Sequence, residues 1–419
     1  MPIFRRPPPT VTPEAVARPA IGMPCDCVSV PAFPVKVIHV CNLPLPPDHP
    51  DFPRLRCHPG RWVLNLALAQ KQHAGIAPEL LVQIPGASRD FQTSLEGIPV
   101  HFLAAPDRLR SATLFWFDKR RLARKLRELQ PDFVHAHGTE DAYGLAAQES
   151  GLPHAITVQG LIFLINRILK PRLISRDRAV EFAERLCLHR ARDVIAKSEY
   201  VAAELKAQFP HLRLHHIPNT FDARLLEIPP ASRGPVVAFV GTVTQRKGVH
   251  TLREAMALAQ KKIPDIQLWI FGDIAAGAFE YEVREKAKLR ELLGDRLVLH
   301  GILPSLEVAQ RLARASALAA PSQEEMFGNQ LIESLLVGTH AIVTEGTAMA
   351  ENVRRFGNGT VVPQSDPPTL AEALCAALQK EAFPDAAPAR QAVIDWMGPK
   401  HVAHLHRELY EKILAPQSD

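Results

Sequence analysis

The sequence predicts an α/β protein in which two doubly wound, Rossmann-like parallel-sheet domains face a central cleft. Short runs of apolar and β-branched residues recur along the chain, and stretches with helical periodicity separate them. Apolar strands that alternate with helices indicate parallel sheets covered by helices on both faces. The alternation is interrupted once, at residues 228–235, where prolines and a glycine are typical of a linker. Ligands bind such sheets beyond the carboxyl ends of the strands, so the cleft is the expected site.

The apolar runs predict strands on both sides of the linker. Before it they cover residues 35–40, 80–84, 100–103, 133–136, 155–158, 194–196 and 214–217. After it they cover residues 236–240, 267–271, 297–299, 317–320, 341–344 and 360–362. The clearest helix begins at Val249, because apolar residues recur there at three- and four-residue spacing.

The 419 residues leave room for two to three domains at about 150 residues each, and the single linker selects two. We expect the proline-rich residues 1–33 to form a disordered extension. An N-terminal domain is expected over 34–228, a linker over 229–235 and a C-terminal domain over 236–398. The last helix, residues 399–414, is expected to cross back to the first domain.

Composition excludes several classes of protein. With 47% hydrophobic and 22% charged residues, the chain resembles an ordinary soluble globular protein. A net charge of +5 is too small for a nucleic-acid binder, which needs a dense basic stripe. Six scattered cysteines indicate a reducing compartment rather than a disulfide framework. Because we find neither a secretory signal nor an apolar run of about 20 residues, we expect a cytoplasmic protein.

A basic loop bracketed by Gly241 and Gly248 follows the strand 236–240. A glycine loop brings backbone close to a ligand, and the helix N-terminus after it favours an anion. Arg246 and Lys247 add positive charge, so the loop predicts a diphosphate site, although it is not a Walker A sequence. The alternative interpretation is a solvated basic loop without a ligand.

A pair of glutamates follows the strand that ends before Pro321. Glu325 is expected in a loop, and Glu333 near the start of a helix that begins about Asn329. Carboxylates accept hydrogen bonds from sugar or ribose hydroxyls, while loop N–H groups and the helix dipole can hold a phosphate. The alternative is that both acids only cap the start of the helix.

Together these segments resemble the retaining glycosyltransferases of family 4 (glycosyl transferases group 1), which have the two-domain GT-B fold. The most specific segment, 321–333, has the E-x7-E spacing of the family. Residues 239–248 resemble its G-R-x-x-x-x-K-G loop, 132–138 its D-V-V-H-x-H motif and 217–222 its I-P-N-G-V-D motif. The resemblance covers roughly residues 35–414.

The resemblance implies that the C-terminal domain binds a nucleoside-diphosphate sugar and the N-terminal domain binds the acceptor. The residues that it implies for catalysis are Glu325, Lys247 and Arg246. The implied donor-binding residues are Gly241, Thr242, Lys247, Glu325, Phe327, Gly328, Asn329 and Glu333. The implied acceptor-side residues are Gly60, Arg61, His137, Gly138 and Gln159. In this scheme Lys247 holds the diphosphate, Glu325 the hydroxyls of the sugar and Glu333 those of the ribose.

Three positions depart from the family pattern. Thr242 stands where the family has arginine, Gln159 where it has histidine, and Met326 where it has glycine. Gln159 cannot take up a proton, but in the front-face mechanism assigned to the family the leaving phosphate oxygen deprotonates the acceptor. The protein then acts mainly by electrostatic stabilisation. The chain has no D-x-D motif, so neither a metal nor another cofactor is expected.

The expected function is transfer of a hexosyl group from a UDP- or GDP-sugar to a hydroxyl acceptor, with retention of configuration, in bacterial polysaccharide or glycoconjugate biosynthesis. Two alternatives stay open. One is a nucleotide-sugar epimerase of the same fold, which Gln159 disfavours because it cannot act as an acid or base. The other is an inactive homologue that serves as a binding partner, which the intact Lys247, Glu325 and Glu333 disfavour.

Two stretches predict contact with a membrane surface and a lipid-linked acceptor. Residues 108–127 hold eight basic residues and one acid around an aromatic run, and 161–178 is also apolar and basic. The alternative is the solvated side of a packed helix, because Leu122 and Leu126 are at helical spacing. The 18 histidines suggest no ligand constellation, and we expect His135 and His137 to face opposite sides of their strand.

Overall fold

The computed structural model describes residues 34–52, 54–55, 60–108, 110–272, 279–380 and 383–416. The predicted extension 1–33 lies outside the described residues. The first sheet has the strands β1 Val35–Cys41, β2 Ile76–Pro85, β3 Phe91–Leu95, β4 Ile98–Ala105, β5 Phe133–His137, β6 His154–Thr157, β7 Asp193–Ala196 and β8 Arg213–His216. Their order across the sheet is β3-β4-β2-β1-β5-β6-β7-β8.

The second sheet is parallel throughout. Its strands are β9 Gly234–Val240, β10 Gln267–Phe271, β11 Leu297–Gly301, β12 Ala315–Ala320, β13 His340–Thr344 and β14 Gly359–Val362. They lie in the order β11-β10-β9-β12-β13-β14. The first of them begins inside the segment that the sequence predicts as a linker.

Helices cover the two sheets. They are α1 Trp62–His73, α2 Trp116–Leu129, α3 Ala142–Ser150, α4 Ile162–Leu169, α5 Arg176–Arg190, α6 Glu199–Gln208, α7 Val249–Ala259, α8 Phe279–Leu293, α9 Ser305–Leu312, α10 Asn329–Leu336, α11 Ala348–Phe356, α12 Pro367–Leu378, α13 Ala386–Met397 and α14 Pro399–Leu414. Strand β12 is buried along its whole length, as its sequence ASALAA predicts for a strand with helices on both faces. The two-domain parallel-sheet fold is therefore confirmed.

Each predicted strand has a counterpart, but the sequence analysis missed β3. This strand pairs antiparallel with β4 at the edge of the first sheet. Its five residues, FQTSL, alternate between exposed and half-buried, so it lacks the continuous apolar run that marks the inner strands. The first sheet is therefore parallel with one antiparallel edge.

In each sheet, successive strands are added first on one side of the domain's first strand and then on its other side. Strand β9 lies between β10 and β12, and β1 lies between β2 and β5. In doubly wound sheets, ligands bind at the carboxyl ends of such neighbouring strands. Gly248 shows how closely the backbone packs there, because a Cβ on it would stand 2.0 Å from the carbonyl oxygen of Pro321, and its φ is +70°.

The last helix, α14, packs against α1 in the first half of the chain. The Tyr410 hydroxyl accepts a hydrogen bond from Gln70 at 3.0 Å, and its ring stacks on Phe133. The Arg407 guanidinium donates to the carbonyl oxygens of Ala74 and Gly75, at the end of α1. This helix therefore completes the core around β1 and β5. No helix among the described residues is long and apolar enough to cross a bilayer.

Candidate active site

Two loops meet at the carboxyl edge of the second sheet. The loop after β9 carries Lys247, and the loop after β12 carries Glu325. The Lys247 ammonium and the Glu325 carboxylate form a short ion pair, and their side chains are only 12% and 15% exposed. The backbone N–H of Gln323 donates to the carbonyl oxygen of Arg246 at 2.8 Å. The pair thus joins two loops that are about 80 residues apart in sequence.

The charge on Glu325 is stabilised by its neighbours. Burial by itself raises the pKa of this carboxyl, but the nearby cations Lys247 and Arg246 hold it below the ordinary value. The group is therefore an ionised carboxylate at neutral pH, which can only accept hydrogen bonds. Hydroxyl groups of a bound sugar would satisfy its remaining lone pairs.

Arg246 supports the second loop in this structure. Its guanidinium donates to the carbonyl oxygen of Glu324 at 2.7 Å. The Glu324 carboxyl accepts a hydrogen bond from the Tyr200 hydroxyl at 2.8 Å, and burial raises its pKa to about 7. Arg246 thus holds the backbone next to Glu325 in place, while its catalytic role stays a prediction.

Glu333 is the fifth residue of α10 and is partly buried. Gly328, the residue before this helix, adopts a left-handed conformation with φ +85°, which glycine permits. The Ser305 hydroxyl donates to the Glu333 carboxylate at 2.5 Å, and burial raises the pKa of this carboxyl to about 7. The sequence analysis missed Ser305, because its proximity to Glu333 is set by the packing of α9 on α10.

A cavity of about 270 Å³ brings residues of both domains together. The predicted donor-binding residues on its wall are Gly241, Lys247, Phe327, Asn329 and Glu333. Gly60 and Arg61 line it from the first domain, and the Asn219 amide donates to Asn329 at 3.2 Å along one side. Thr242, Glu325, Gly328, His137, Gly138 and Gln159 are described residues that lie off this wall.

The acceptor-side residues His137, Gly138 and Gln159 lie together at the carboxyl ends of β5 and β6. Gly138 has φ +117°, and its N–H donates to the carbonyl oxygen of Thr157 at 2.9 Å. The Gln159 amide nitrogen lies 3.5 Å from Nδ1 of His137, and its oxygen accepts from Lys197 at 2.7 Å. The sequence analysis missed Lys197, since a single lysine after a strand forms no pattern.

The expectation that His135 and His137 face opposite sides of β5 is wrong. Residues two positions apart on a strand point to the same side, and both rings are buried with centroids 3.9 Å apart. His39, which pairs with His135 in register, completes a cluster whose ligand nitrogens lie within 4.8 Å of one another. The expectation of no histidine constellation is therefore also wrong.

Hydrogen bonding by itself accounts for this histidine cluster. His39 has a partner at each nitrogen, Gln70 at 2.8 Å and His137 at 2.9 Å. His135 likewise has Tyr410 at 2.7 Å and Thr157 at 2.6 Å. The expectation that the reaction needs no metal stays a prediction.

The two domains also contact each other through the start of α6. The Glu351 carboxylate, on α11, accepts hydrogen bonds from the backbone N–H groups of Glu199 and Tyr200, both at 3.0 Å. The Ser198 hydroxyl donates to the carbonyl oxygen of Met326 at 3.0 Å. A carboxylate of the second domain therefore caps a helix of the first, which is favourable at a helix N-terminus.

Models of two known families match successive parts of the chain. The model for glycosyltransferase family 4 matches residues 59–225, and that for glycosyl transferases group 1 matches residues 227–393. The chain belongs to the family 4 (group 1) glycosyltransferases. This glycosyltransferase is 26% identical over 395 residues to the 2-deoxystreptamine glucosyltransferase of Streptomyces kanamyceticus, covering 84% of this chain and 98% of that one. It is 27% identical over 318 residues to the alpha-maltose-1-phosphate synthase of Mycolicibacterium smegmatis, covering 67% and 79%.

Solved structures agree on the fold. Sucrose-phosphate synthase from Thermosynechococcus elongatus superposes with a TM-score of 0.73 at 20% identity, over 90% of this chain and 99% of that one. Anabaena HepE in complex with UDP-glucose superposes with a TM-score of 0.65 at 17% identity, over 89% and 99%. At such identities the likeness concerns the fold, and it confirms the two-domain GT-B architecture.

Proposed function

We propose that this glycosyltransferase moves a hexosyl group from a UDP- or GDP-sugar to a hydroxyl acceptor, with retention of configuration and without a metal. A role in bacterial polysaccharide or glycoconjugate biosynthesis is part of the proposal. The observation that carries it is the cavity between the domains, which is lined by Lys247 and Glu333, with Glu325 held beside it by its ion pair with Lys247. HepE, a structural neighbour, binds UDP-glucose, which supports a nucleotide-sugar donor.

Each group in the cavity suits one part of such a donor. In this proposal the Lys247 ammonium and the N–H groups at the start of α10 bind the diphosphate, which develops charge as it leaves. Glu325 is ionised and can accept hydrogen bonds from sugar hydroxyls. The partly buried carboxyl of Glu333 suits the ribose hydroxyls, with Ser305 orienting it. Binding that strengthens as the diphosphate leaves lowers the barrier to transfer.

A panel of UDP-, GDP- and ADP-sugars tests the proposal. The enzyme is incubated with each sugar, with and without simple glycoside acceptors, and the released nucleoside diphosphate is measured. We expect release with at least one UDP- or GDP-hexose, and NMR of the product to show the anomeric configuration of the donor. Full activity in the presence of a chelator of divalent metal ions would support a metal-independent reaction. An epimerised donor would indicate the epimerase, and binding without turnover an inactive homologue.

The proposed acceptor is lipid-linked and is reached at an anionic membrane. Helix α2 buries Leu122 and Leu126, so its charges are partly the solvated side of a packed helix. However, Trp116 and Phe117 at its start remain 42% and 59% exposed, next to the guanidinium of Arg120. Exposed aromatic rings among basic residues suit the surface of an anionic bilayer.

The loop between α4 and α5 carries the most exposed aliphatic pair of this domain. Leu173 is 88% exposed and Ile174 is 98% exposed. The basic residues around them are Lys170, Arg172 and Arg176. Two bare aliphatic side chains among cations fit a bilayer with anionic headgroups better than water.

Vesicle co-sedimentation tests this contact. We expect the protein to bind vesicles with phosphatidylglycerol and not vesicles of phosphatidylcholine alone. The double variant Leu173→Ser/Ile174→Ser should lose this binding, whereas Ile302→Ser, at an exposed position of the second domain, should retain it. Equal binding by both variants, or none by the wild type, would overturn the membrane proposal.

A further inference from the structure

Lys197 is a buried lysine to which the proposed function assigns no role. It follows β7 at the carboxyl edge of the first sheet and is only 5% exposed. Among the described residues, the Gln159 side-chain oxygen is its hydrogen-bond acceptor, at 2.7 Å. An ammonium has three N–H donors, so two remain for another partner. Buried donors without acceptors are costly, which points to a ligand oxygen at this position.

Lys197 also approaches the donor loop of the other domain. Its Nζ lies 5.6 Å from the centre of the Phe327 ring, and Phe327 lines the cavity. Its charge also acts on Glu325, which is paired with Lys247. Glu325 is therefore within electrostatic reach of two ammonium groups, one from each domain.

A directed chain of hydrogen bonds lies behind Lys197. An amide oxygen can only accept, so the Gln70 oxygen requires a proton on Nε2 of His39. Nδ1 of the neutral His39 then accepts from Nε2–H of His137 at 2.9 Å. Nδ1 of His137 in turn accepts from the Gln159 amide at 3.5 Å, and Gln159 accepts from Lys197. Every donor along this path points away from the cleft.

The chain continues from Gln70 to the end of the network. The Gln70 amide nitrogen donates to the Tyr410 hydroxyl at 3.0 Å, which leaves that hydroxyl to donate to Nδ1 of His135 at 2.7 Å. Nε2–H of His135 donates to Thr157 at 2.6 Å. The network requires neutral imidazoles, and burial lowers the pKa of His39 to about 3 and that of His135 far below its ordinary value.

We propose that Lys197 is a catalytic residue that binds an oxygen of the bound nucleotide sugar, and that Gln159 and the histidine network position it. This inference rests on the proposed function. Lys197 comes from the first domain and approaches the Phe327 ring of the second, so in this proposal it reaches the donor where the two domains meet. It supplies a cation on the acceptor side, where Gln159 replaces the histidine of the family pattern.

The first test compares Lys197→Met with Lys206→Met, an exposed lysine of the same domain. We expect Lys197→Met to lower donor hydrolysis and sugar transfer together, by about 100-fold in kcat. Lys206→Met should leave both unchanged. A Lys197→Met enzyme with unchanged rates would overturn the inference. So would a change confined to the KM of the acceptor, which would place Lys197 on the acceptor instead.

The pH profile separates a catalytic cation from a structural one. Burial lowers the pKa of Lys197 to about 8, against the opposing charges of Glu140 and Glu325. The other charged groups near these residues are Lys247, Arg246, Glu324, Asp141 and Glu184, while His137 is neutral. We expect kcat/KM, which reports the free enzyme, to fall as pH rises through about 8. Lys197→Arg stays charged and should remove this decline; an unchanged profile would contradict the inference.

Two further measurements apply if Lys197→Met does not fold or if the wild type shows no turnover. If Lys197→Met does not fold, as its melting temperature would show, the Lys197→Arg profile decides alone. If the wild type turns over no nucleotide sugar, the proposed function fails, but affinities for UDP-glucose and UDP still test Lys197. We then expect Lys197→Met to bind UDP-glucose more weakly by about tenfold, and Lys206→Met to bind as the wild type does. Equal affinities would overturn the inference.

Discussion

At the carboxyl edge of the second sheet stands a half-buried ion pair, Lys247 with Glu325, and Glu333, whose pKa is raised, lines the same cavity as Lys247. At the same edge of the first sheet stand neutral imidazoles, which amides and hydroxyls join into a network with His39 near its centre. Both sites occupy the strand ends where the chain changes direction. The same fold thus holds an ion pair at this edge of one domain and neutral, hydrogen-bonded side chains at this edge of the other.

The difference reflects what each edge must hold. Under the proposed function, a site for a charged leaving group needs cations, and the Glu325 carboxylate favours the charged form of Lys247 although desolvation lowers the pKa of that lysine. A site that orients one side chain needs a rigid frame instead, and neutral groups with all their hydrogen bonds made provide it at low desolvation cost. Removing a charge should therefore act on turnover, whereas breaking the network should act first on stability.

The largest effect is expected at the ion pair of the second domain. Lys247→Ala and Glu325→Ala should each lower transfer by about 1,000-fold, because under the proposed function each removes a charge that acts on the reacting part of the donor. Steady-state release of nucleoside diphosphate measures this loss. The matched control is Lys286→Ala, which removes an ammonium paired with Glu282 on α8 of the same domain. Near wild-type turnover in either of the first two variants, with Lys286→Ala equally active, would refute the site assignment.

The next largest effect is expected in the hydrogen-bonded network of neutral imidazoles in the first domain. Tyr410→Phe removes the hydroxyl between Gln70 and His135, so a buried amide N–H and a buried ring nitrogen lose their partners. We expect a loss of about 1–3 kcal/mol in the free energy of unfolding. Urea denaturation measures it. Tyr281→Phe is the control, since that hydroxyl also contacts a histidine but is half-exposed. Equal losses in both variants would show that the network adds nothing.

Some of this comparison could be predicted from the sequence. The glycine loop around Lys247 and the segment with Glu325 before α10 and Glu333 within it follow apolar strands, and such segments begin at the carboxyl edge of any parallel sheet. The histidine network could not be predicted in this way. His39 meets His135 only through the pairing of β1 with β5, and Tyr410 arrives from the far end of the chain. Contacts between distant segments depend on register and packing, which local patterns do not encode.

A smaller effect concerns the binding of the nucleotide as pH changes. The pKa of Glu333 is raised to about 7, and the ionised form is the better acceptor for ribose hydroxyls. Affinity for the nucleoside diphosphate should therefore rise as pH increases through 7, by at most tenfold per pH unit for one proton, and level off above it. Calorimetric titration measures it. Glu333→Gln should show a flat profile, and the same slope in that variant would assign the titration elsewhere.

The smallest effect is expected at the contact between the domains. Glu351→Ala removes the carboxylate that caps α6 from the other domain. Loss of such a cap costs about 1 kcal/mol, so we expect turnover to fall by about fivefold, with the melting temperature little changed. Glu345→Ala, which removes an exposed carboxylate paired with Arg354, is the control. A larger loss of turnover in Glu351→Ala than in Lys247→Ala would contradict the expected order of these effects.

The return of α14 to the first domain limits how this enzyme can be divided or recombined. A hybrid that exchanges the donor domain with that of a related enzyme could be joined at the connection between the two sheets. A cut near residue 230 would here remove the side chains of Arg407 and Tyr410 from the half that needs them. A working hybrid would have to take residues 399–414 from the parent of its first domain. The modular unit of this protein is therefore discontinuous in its gene.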